Sequence, residues 1–247
     1  MKINKDINII HYIKKHFNDI LSYTKTVNTC ELFLENIVYQ KAIILDLIQI
    51  GENVNKLSDD IKSFINKKDL RGIINFRNQL VHGYENNDPD LIWNVIQINL
   101  PKLIKEICEI VRCNYREHLK SLLNTEVNVI IERPINSVHP NYNDIIYEVN
   151  YGYITSLIAL DNEYQDAYVF GINYPIKEFK GEVKAIIHRL NDNEDKLIVA
   201  PSNLNFEVEE IKRLINFQEK YFNIEVIKWW FYIIIFYHLT FKINQIL

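Results

Sequence analysis

An arginine and a histidine lie five positions apart in the segment 76–84, and both have the side chains needed for chemistry on a phosphodiester. In a helix, at ~100° per residue, Arg77 and His82 lie ~140° apart around the axis, so both can line one cleft. The guanidinium fork binds phosphate oxygens, and an imidazole can act as a general acid or base. Tyr84 adds a third polar group at the same rim. This spacing alone is a weak pattern, so the surrounding sequence has to decide its meaning.

Acidic residues gather in two turns of the second half of the chain. Carboxylates at the ends of rigid strands are the oxygen ligands that Mg²⁺ requires, and bound Mg²⁺ can neutralise a diphosphate and activate water. Turn carboxylates are also commonly just solvated, and the residue types leave both interpretations open. The set comprises Asp161, Glu163 and Asp166 in the first turn, and Asp192 and Asp195 before Lys196 in the second.

The elements that position the first pair are helices. Apolar residues recur at helical spacing through the first half, and Gly83 is well placed to end the helix that carries Arg77 and His82. The segment 31–57 is apolar around much of its circumference, which indicates the centre of a bundle or a dimer seam. Glu52, on this segment, is either a solvated or capping carboxylate or a site residue. The predicted helices span about 3–26, 31–57, 59–66, 69–82, 89–98 and 101–122.

The second half is predicted to be mainly β-structure. Short β-branched runs alternate with turn residues about every ten positions, which indicates a small barrel or sandwich. The apolar run 229–241 is too short for a membrane span, which needs ~20 residues. It is a buried strand, an interfacial anchor or the out-of-frame end of a disrupted gene, and we favour the first or the last. The predicted strands are 127–134, 144–149, 153–160, 166–171, 181–190 and 196–201, before an amphipathic helix at 207–222.

Composition and charge fit an ordinary globular protein of two domains. Apolar residues make up 48% of the 247 residues and charged residues 24%. Residues 1–124 carry 17 Lys and Arg against 15 Asp and Glu, whereas residues 125–247 carry 11 against 17. The acidic second half argues against nucleic-acid binding by that half and suits divalent cations. Three cysteines without ligand spacing and an N-terminus without signal-peptide features predict a cytoplasmic protein.

The first half resembles a known family. Residues 69–84 (DLRGIINFRNQLVHGY), with Trp93 and the Gln49-Ile-Gly-Glu segment, resemble the HepT-type HEPN ribonuclease toxins over about residues 1–115. The resemblance implies a helical homodimer that cleaves RNA without a metal, with Arg77 and His82 as catalytic residues. It also implies a cognate nucleotidyltransferase antitoxin that modifies Tyr84.

The second half, over about residues 126–223, resembles the soluble inorganic pyrophosphatases of the OB-barrel family. The segments that carry the resemblance are 127–134 (VNVIIERP), 150–154 (NYGYI), 160–169 (LDNEYQDAYV) and 192–201 (DNEDKLIVAP). The resemblance implies pyrophosphate as the substrate and Mg²⁺ as the cofactor. The implied metal ligands are Asp161, Glu163, Asp166, Asp192 and Asp195, and the implied substrate-binding residues are Glu132, Arg133, Tyr151 and Lys196, of which Tyr151 and Lys196 are also catalytic.

Several positions depart from the pyrophosphatase pattern. Glu163 stands where the family has an aspartate, and Tyr221 is followed by a phenylalanine where the family has a phosphate-binding lysine. Arg133, His139 and Arg189 are the basic residues that could compensate.

We therefore expect a multi-domain α + β protein. The expected parts are a HEPN-type helical bundle at 1–117, a linker at 118–125, an OB-like barrel with a C-terminal helix at 126–225, and a hydrophobic tail at 226–247. The alternative to a two-activity fusion is a non-catalytic dimerisation module that carries a decayed pyrophosphatase barrel.

Overall fold

The chain divides into a helical unit and a β-barrel unit, Met1–Tyr115 and Arg116–Leu247. The structure is a computed structural model that describes residues 2–83, 88–192 and 194–229. Tyr84 and most of the apolar tail lie outside the described residues. The predicted order, a helical half followed by a barrel half, is confirmed.

The helices begin and end where the sequence supplies caps. Side chains at three N-caps accept hydrogen bonds from backbone N–H groups: Thr29 from Leu32, Asn36 from Tyr39, and Ser58 from Ile61. The bounds are α1 Lys2–Thr26, α2 Cys30–Glu35, α3 Ile37–Lys56, α4 Asp59–Phe64, α5 Lys67–His82, α6 Pro89–Asn94, a π-helical turn Val95–Asn99, and α7 Leu100–Ser121.

One predicted helix is two helices in the structure. The segment 31–57 is interrupted at Asn36, whose φ of −109° and ψ of 84° are not helical. Leu34 and Val38, on either side of the break, do not enter the core, because they are 41% and 70% exposed, whereas Phe33 is fully buried. The core stripe lies further along α3, where Ile43, Leu47, Ile50 and Val54 are fully buried.

The described residues of the barrel unit form six strands and one long helix after the end of α7. Neighbouring strands follow the order β1-β2-β3-β5-β4, and an additional β1–β4 pairing closes the ring, which confirms the predicted OB-like barrel. All pairs are antiparallel except β3 with β5. The bounds are β1 Glu126–Arg133, β2 Asn150–Ile158, β3 Tyr164–Val169, β4 Glu178–Arg189, β5 Lys196–Ala200, α8 Val208–Glu219 and β6 Ile224–Ile227.

Two strand predictions need correction. Residues 144–149 do not form a strand and contribute one isolated bridge, between Ile146 and Val138. Conversely, the short β6 was not predicted, and it pairs with the end of β4 outside the closed ring.

Helix α8 is fixed to the barrel by a buried ion pair as well as by apolar packing. Ile211 and Ile215 enter the barrel core. Arg189 Nε and Nη2 donate to the two oxygens of Glu219, each at 2.8 Å, and the Tyr168 hydroxyl donates to the same carboxylate. Burial alone would lower the pKa of Arg189, but the contacts with Glu219 raise it, so the guanidinium stays ionised. In the described residues, no helix is long and apolar enough to cross a bilayer.

Candidate functional sites

The first site joins α3 and α5 of the helical unit. Arg77, on α5, forms an ion pair with Glu52 of α3, and both side chains are partly buried. A Cβ built on Gly51 would lie 2.6 Å from the Cβ of Arg77, so only glycine lets the two helices approach this closely. The Gln49-Ile-Gly-Glu segment therefore belongs to the site, and Glu52 is the partner that orients the arginine.

His82 lies at the exposed C-terminal end of α5. Gly83 caps this helix through its N–H, which donates to Gln79 O at 2.7 Å, as the sequence predicted. The position five residues after Arg77 places the two side chains ~140° apart around the helix. Tyr84 lies outside the described residues, so its predicted place at the same rim stays a prediction.

An exposed apolar face runs along α3 towards this site. Val38 and Leu45 are 70% and 59% exposed, and Glu52 follows at the same seven-residue spacing. Residues seven positions apart differ by ~20° around a helix, so all three lie on one side of α3. Apolar surface of this kind at the edge of a site is typical of a protein–protein contact.

The second site is a cleft of about 490 Å³ at the barrel. Its centre is Lys196, which is buried and donates to Asp166 Oδ2 at 2.6 Å and to the Tyr151 hydroxyl at 2.8 Å. The three residues come from β5, β3 and β2, which are neighbours in the barrel. Burial, with the charge of Asp166, raises the pKa of Tyr151 well above its ordinary value, so the hydroxyl stays neutral.

Acidic side chains outnumber basic ones around the cleft. Five carboxylates line it, against one lysine and one arginine, Lys196 and Arg133. Arg133 Nη1 lies 3.2 Å from Glu132 Oε1, whereas its Nε is buried without a hydrogen-bond partner in the described part of the chain. The carboxylates are Glu132, Asp161, Glu163, Asp166 and Glu194.

Two predicted metal ligands, Asp192 and Asp195, do not line the cleft. Asp195 does not line the cleft, because its side chain is 1% exposed and accepts two hydrogen bonds from Arg116, at 2.9 and 3.0 Å. Asp192 and Glu194 both contact Arg189 Nη1, at 3.1 and 3.0 Å, but Asp192 is not among the residues that line the cleft. Glu194, which the sequence analysis missed, occupies the place at the cleft instead. Consecutive residues of an extended chain face opposite sides, so spacing alone could not tell which of the pair 194 and 195 points to the cleft.

Comparison with known proteins identifies the helical unit. A family model described as "Ribonuclease HepT-like" matches residues 13–110. A protein of Methanocaldococcus jannaschii, named as a candidate RNase, is 35% identical over 112 residues, which cover 44% of this chain and 89% of the relative. The chain belongs to the HepT-like family. A second candidate RNase of the same organism is 30% identical over 42% of this chain and 94% of its own length.

The HepT-like match ends before the barrel, which resembles a different set of solved structures. The inorganic pyrophosphatase of Ehrlichia chaffeensis is 20% identical and covers 43% of this chain and 87% of its own, with a TM-score of 0.36. The inorganic pyrophosphatase of Coxiella burnetii is 16% identical and covers 43% of this chain and 86% of its own, with a TM-score of 0.33.

The carboxylates of the cleft fit Mg²⁺ in one way. Among the described residues, the one group of three ligand atoms within 4.8 Å of one another is His16, Asp19 and Asp46 in the HepT-like unit, so the cleft carboxylates lie further apart. Mg²⁺ commonly takes one or two carboxylates and completes its shell with waters and substrate phosphates. Asp161, Asp166 and Glu194 could hold it in that manner, and the excess of acidic side chains favours a cation.

Proposed function

We propose that the HepT-like domain is an endoribonuclease that cleaves RNA without a metal. One observation carries the proposal: Glu52 and Arg77, which belong to two separate segments of the family resemblance, form an ion pair where Gly51 permits close helix approach. A guanidinium oriented in this way can bind a phosphate in a fixed geometry.

In this mechanism His82 and Arg77 have different roles. His82 exchanges a proton with the ribose 2′-hydroxyl or with the leaving oxygen. Arg77 stabilises the negative charge that develops on the phosphorus oxygens in the transition state. The exposed face at Val38 and Leu45 supports a homodimer in which the sites of two copies act on one RNA.

The test is RNA cleavage by the purified chain in EDTA, with the variants Arg77→Ala and Arg71→Ala. Both arginines lie on α5, and Arg71 is exposed. We expect Arg77→Ala to lose cleavage and cellular toxicity and Arg71→Ala to retain both. Cleavage by Arg77→Ala at the wild-type rate would exclude this site.

The proposed regulator of the ribonuclease is a nucleotidyltransferase antitoxin that modifies Tyr84. A nucleotide attached there would add negative charge and bulk two residues from His82 and so keep RNA phosphates away. Co-expression with the cognate transferase should increase the mass of the wild-type chain by a nucleotidyl group and leave Tyr84→Phe unchanged. An equal mass increase in both chains would place the modification elsewhere.

The second proposed activity is Mg²⁺-dependent hydrolysis of pyrophosphate by the barrel. The contacts of Lys196 with Asp166 and Tyr151 support it, because they fix a cation and a neutral hydroxyl donor beside carboxylates. Bound Mg²⁺ would neutralise the diphosphate and activate water. Lys196, Tyr151 and Arg133 would bind and orient the phosphate oxygens.

Phosphate release from pyrophosphate, with Mg²⁺ and with EDTA, tests the second activity. Asp166→Asn should abolish the Mg²⁺-dependent release, whereas Glu210→Gln, at an exposed position of α8, should not change it. No release by the folded wild-type chain would favour the alternative, a non-catalytic dimerisation module with a decayed barrel.

A further inference from the structure

An aromatic pocket adjoins the acidic cleft of the barrel. It has a volume of about 380 Å³, and its apolar wall consists of Tyr142, Ile145, Tyr221 and Phe222. His139 and Gln218 line both the pocket and the cleft, so the two spaces are adjacent. Pyrophosphate is small and has no apolar part, so it would leave this pocket without a role.

The aromatic wall presents rings to solvent. Tyr142 and Tyr221 are 59% and 57% exposed. Phe222 has one ring face covered, because the guanidinium carbon of Arg189 lies 3.5 Å from its centroid. Exposed rings around a concave pocket can stack on any nucleobase, since every base has a π-face.

His139 connects the aromatic pocket with the charged cleft. Its ring lies 5.0 Å from Tyr142 and 6.1 Å from Tyr147, the second pair being stacked at 8°. The Asn141 N–H donates to Nδ1 at 3.1 Å, so in the neutral ring the proton is on Nε2. His139 can therefore donate a hydrogen bond to a phosphate or sugar oxygen where the two spaces meet.

Polar groups in the pocket suit the edge of a base. The Gln218 side-chain amide lies 3.0 Å from the Tyr168 hydroxyl, a contact that holds this amide at the pocket. Asp144 adds a carboxylate, which accepts hydrogen bonds from exocyclic amines or ring N–H groups. A few placed polar groups on an otherwise apolar wall are typical of a small-molecule site.

We infer that the barrel binds a nucleoside 5′-diphosphate or triphosphate with Mg²⁺, with the base in the aromatic pocket and the phosphates in the cleft. The inference rests on the proposed function for one point, that the cleft binds Mg²⁺ and phosphate. The aromatic pocket indicates, in addition, that the ligand carries a nucleoside.

Isothermal titration calorimetry of the full-length chain in Mg²⁺ tests the inference. The ligands are pyrophosphate and the diphosphates of adenosine, guanosine, cytidine and uridine. All these ligands carry a diphosphate group, and a nucleoside diphosphate has one fewer ionisable oxygen than pyrophosphate, so tighter binding of the nucleoside diphosphate reports the nucleoside. We expect at least one nucleoside diphosphate to bind roughly tenfold or more tightly than pyrophosphate, because stacking of one base is worth ~1–3 kcal/mol.

Two variants distinguish binding in the aromatic pocket from binding in the cleft. Tyr221→Ala should weaken nucleoside diphosphate binding by roughly tenfold and leave pyrophosphate binding unchanged, while Tyr174→Ala, at an exposed tyrosine outside the pocket, should change neither. Nucleoside diphosphates that bind no tighter than pyrophosphate, or an unaffected Tyr221→Ala, would overturn the inference and leave the cleft proposal standing. No Mg²⁺-dependent binding of any of these ligands would overturn both.

Discussion

Gly51 sets the distance between α3 and the arginine of the ribonuclease site. A methyl group there would lie 2.6 Å from Arg77 Cβ and 3.0 Å from its Cγ. We expect Gly51→Ala to displace the Arg77 side chain and its pairing with Glu52. A displacement of ~1 Å at a catalytic group can cost ~100-fold in rate, so RNA cleavage should fall by at least ~10-fold. Single-turnover cleavage of a labelled RNA measures this.

Gly72 provides the matched control for Gly51→Ala. It lies in α5, and a Cβ there would meet no atom within 4 Å. Gly72→Ala should therefore raise the free energy of unfolding by about 0.5–1 kcal/mol, the ordinary gain for alanine in a helix, and leave cleavage unchanged. Equal losses of cleavage in the two variants would show that the contact with Arg77 is not the cause.

Lys196 is buried in the cleft, and its substitution measures how much it contributes to the free energy of unfolding. It is 1% exposed and lies between Asp166 and Tyr151. Lys196→Met leaves those two groups without their shared donor, so we expect the free energy of unfolding to fall by about 1–3 kcal/mol. The control is Lys180→Met, which removes an exposed pair with Glu126 and should cost less than ~1 kcal/mol. Urea unfolding followed by fluorescence gives both values, and equal losses would contradict a structural role for Lys196.

For single residues, the sequence indicates which side chains could form a site better than it indicates where each side chain points. Arg77, Lys196 and Asp166 were predicted from their motifs, and each lies at a candidate site. Asp195 was predicted to face the cleft but faces Arg116, because one step along an extended chain reverses the side of a side chain. Only the strand pairing settles the direction.

A buried charge cluster around Asp195, just before β5, makes the stability of the barrel depend on pH. Asp195 accepts from Arg116, and its Oδ2 lies 3.0 Å from His188 Nδ1. Burial alone would raise the pKa of Asp195, but the adjacent His188 ring and the hydrogen bonds from Arg116 outweigh it and lower the pKa below its ordinary value. The folded state therefore binds fewer protons than the unfolded state around pH 4. The stability that this carboxylate contributes is present above its unfolded pKa and is lost as pH falls through the folded one.

We therefore expect Asp195→Asn to lower the free energy of unfolding at pH 7 and to reduce its decline on acidification. The control is Asp192→Asn, since that carboxylate is partly exposed and its pair with Arg189 is screened by solvent. Urea unfolding of both variants at pH 7 and at pH 3 measures the difference. A parallel acid decline in Asp195→Asn and the wild-type chain would assign the effect to other carboxylates.

Long periodic elements were predictable, and short ones were not. The helices α1, α5 and α7 and the strand β1 follow from periodicity, whereas the break at Asn36 does not, because apolar residues continue across it. Residues 144–149 alternate like a strand but find no neighbouring strand to pair with beyond one bridge. Strand formation depends on a partner that is distant in the sequence, which local pattern does not contain.

At the scale of the whole molecule, each proposed activity has its own core and its own residues. The ribonuclease site uses Glu52 and Arg77 within Met1–Tyr115, and the cleft uses Lys196 and Asp166 within Arg116–Leu247. The HepT-like family accounts for residues 13–110 only. Relatives that consist almost entirely of that match show that this fold does not require a barrel.

We therefore predict that the two activities are separable by single substitutions in the intact chain. Arg77→Ala should lose RNA cleavage and keep Mg²⁺-dependent phosphate release, and Asp166→Asn should do the reverse, because neither side chain contributes to the other site. Both assays on both variants, with thermal unfolding to confirm that each chain is folded, measure the separation. A variant that lost both activities while remaining folded would show that the barrel and the ribonuclease act as one coupled enzyme, and the fusion would then have a mechanistic reason.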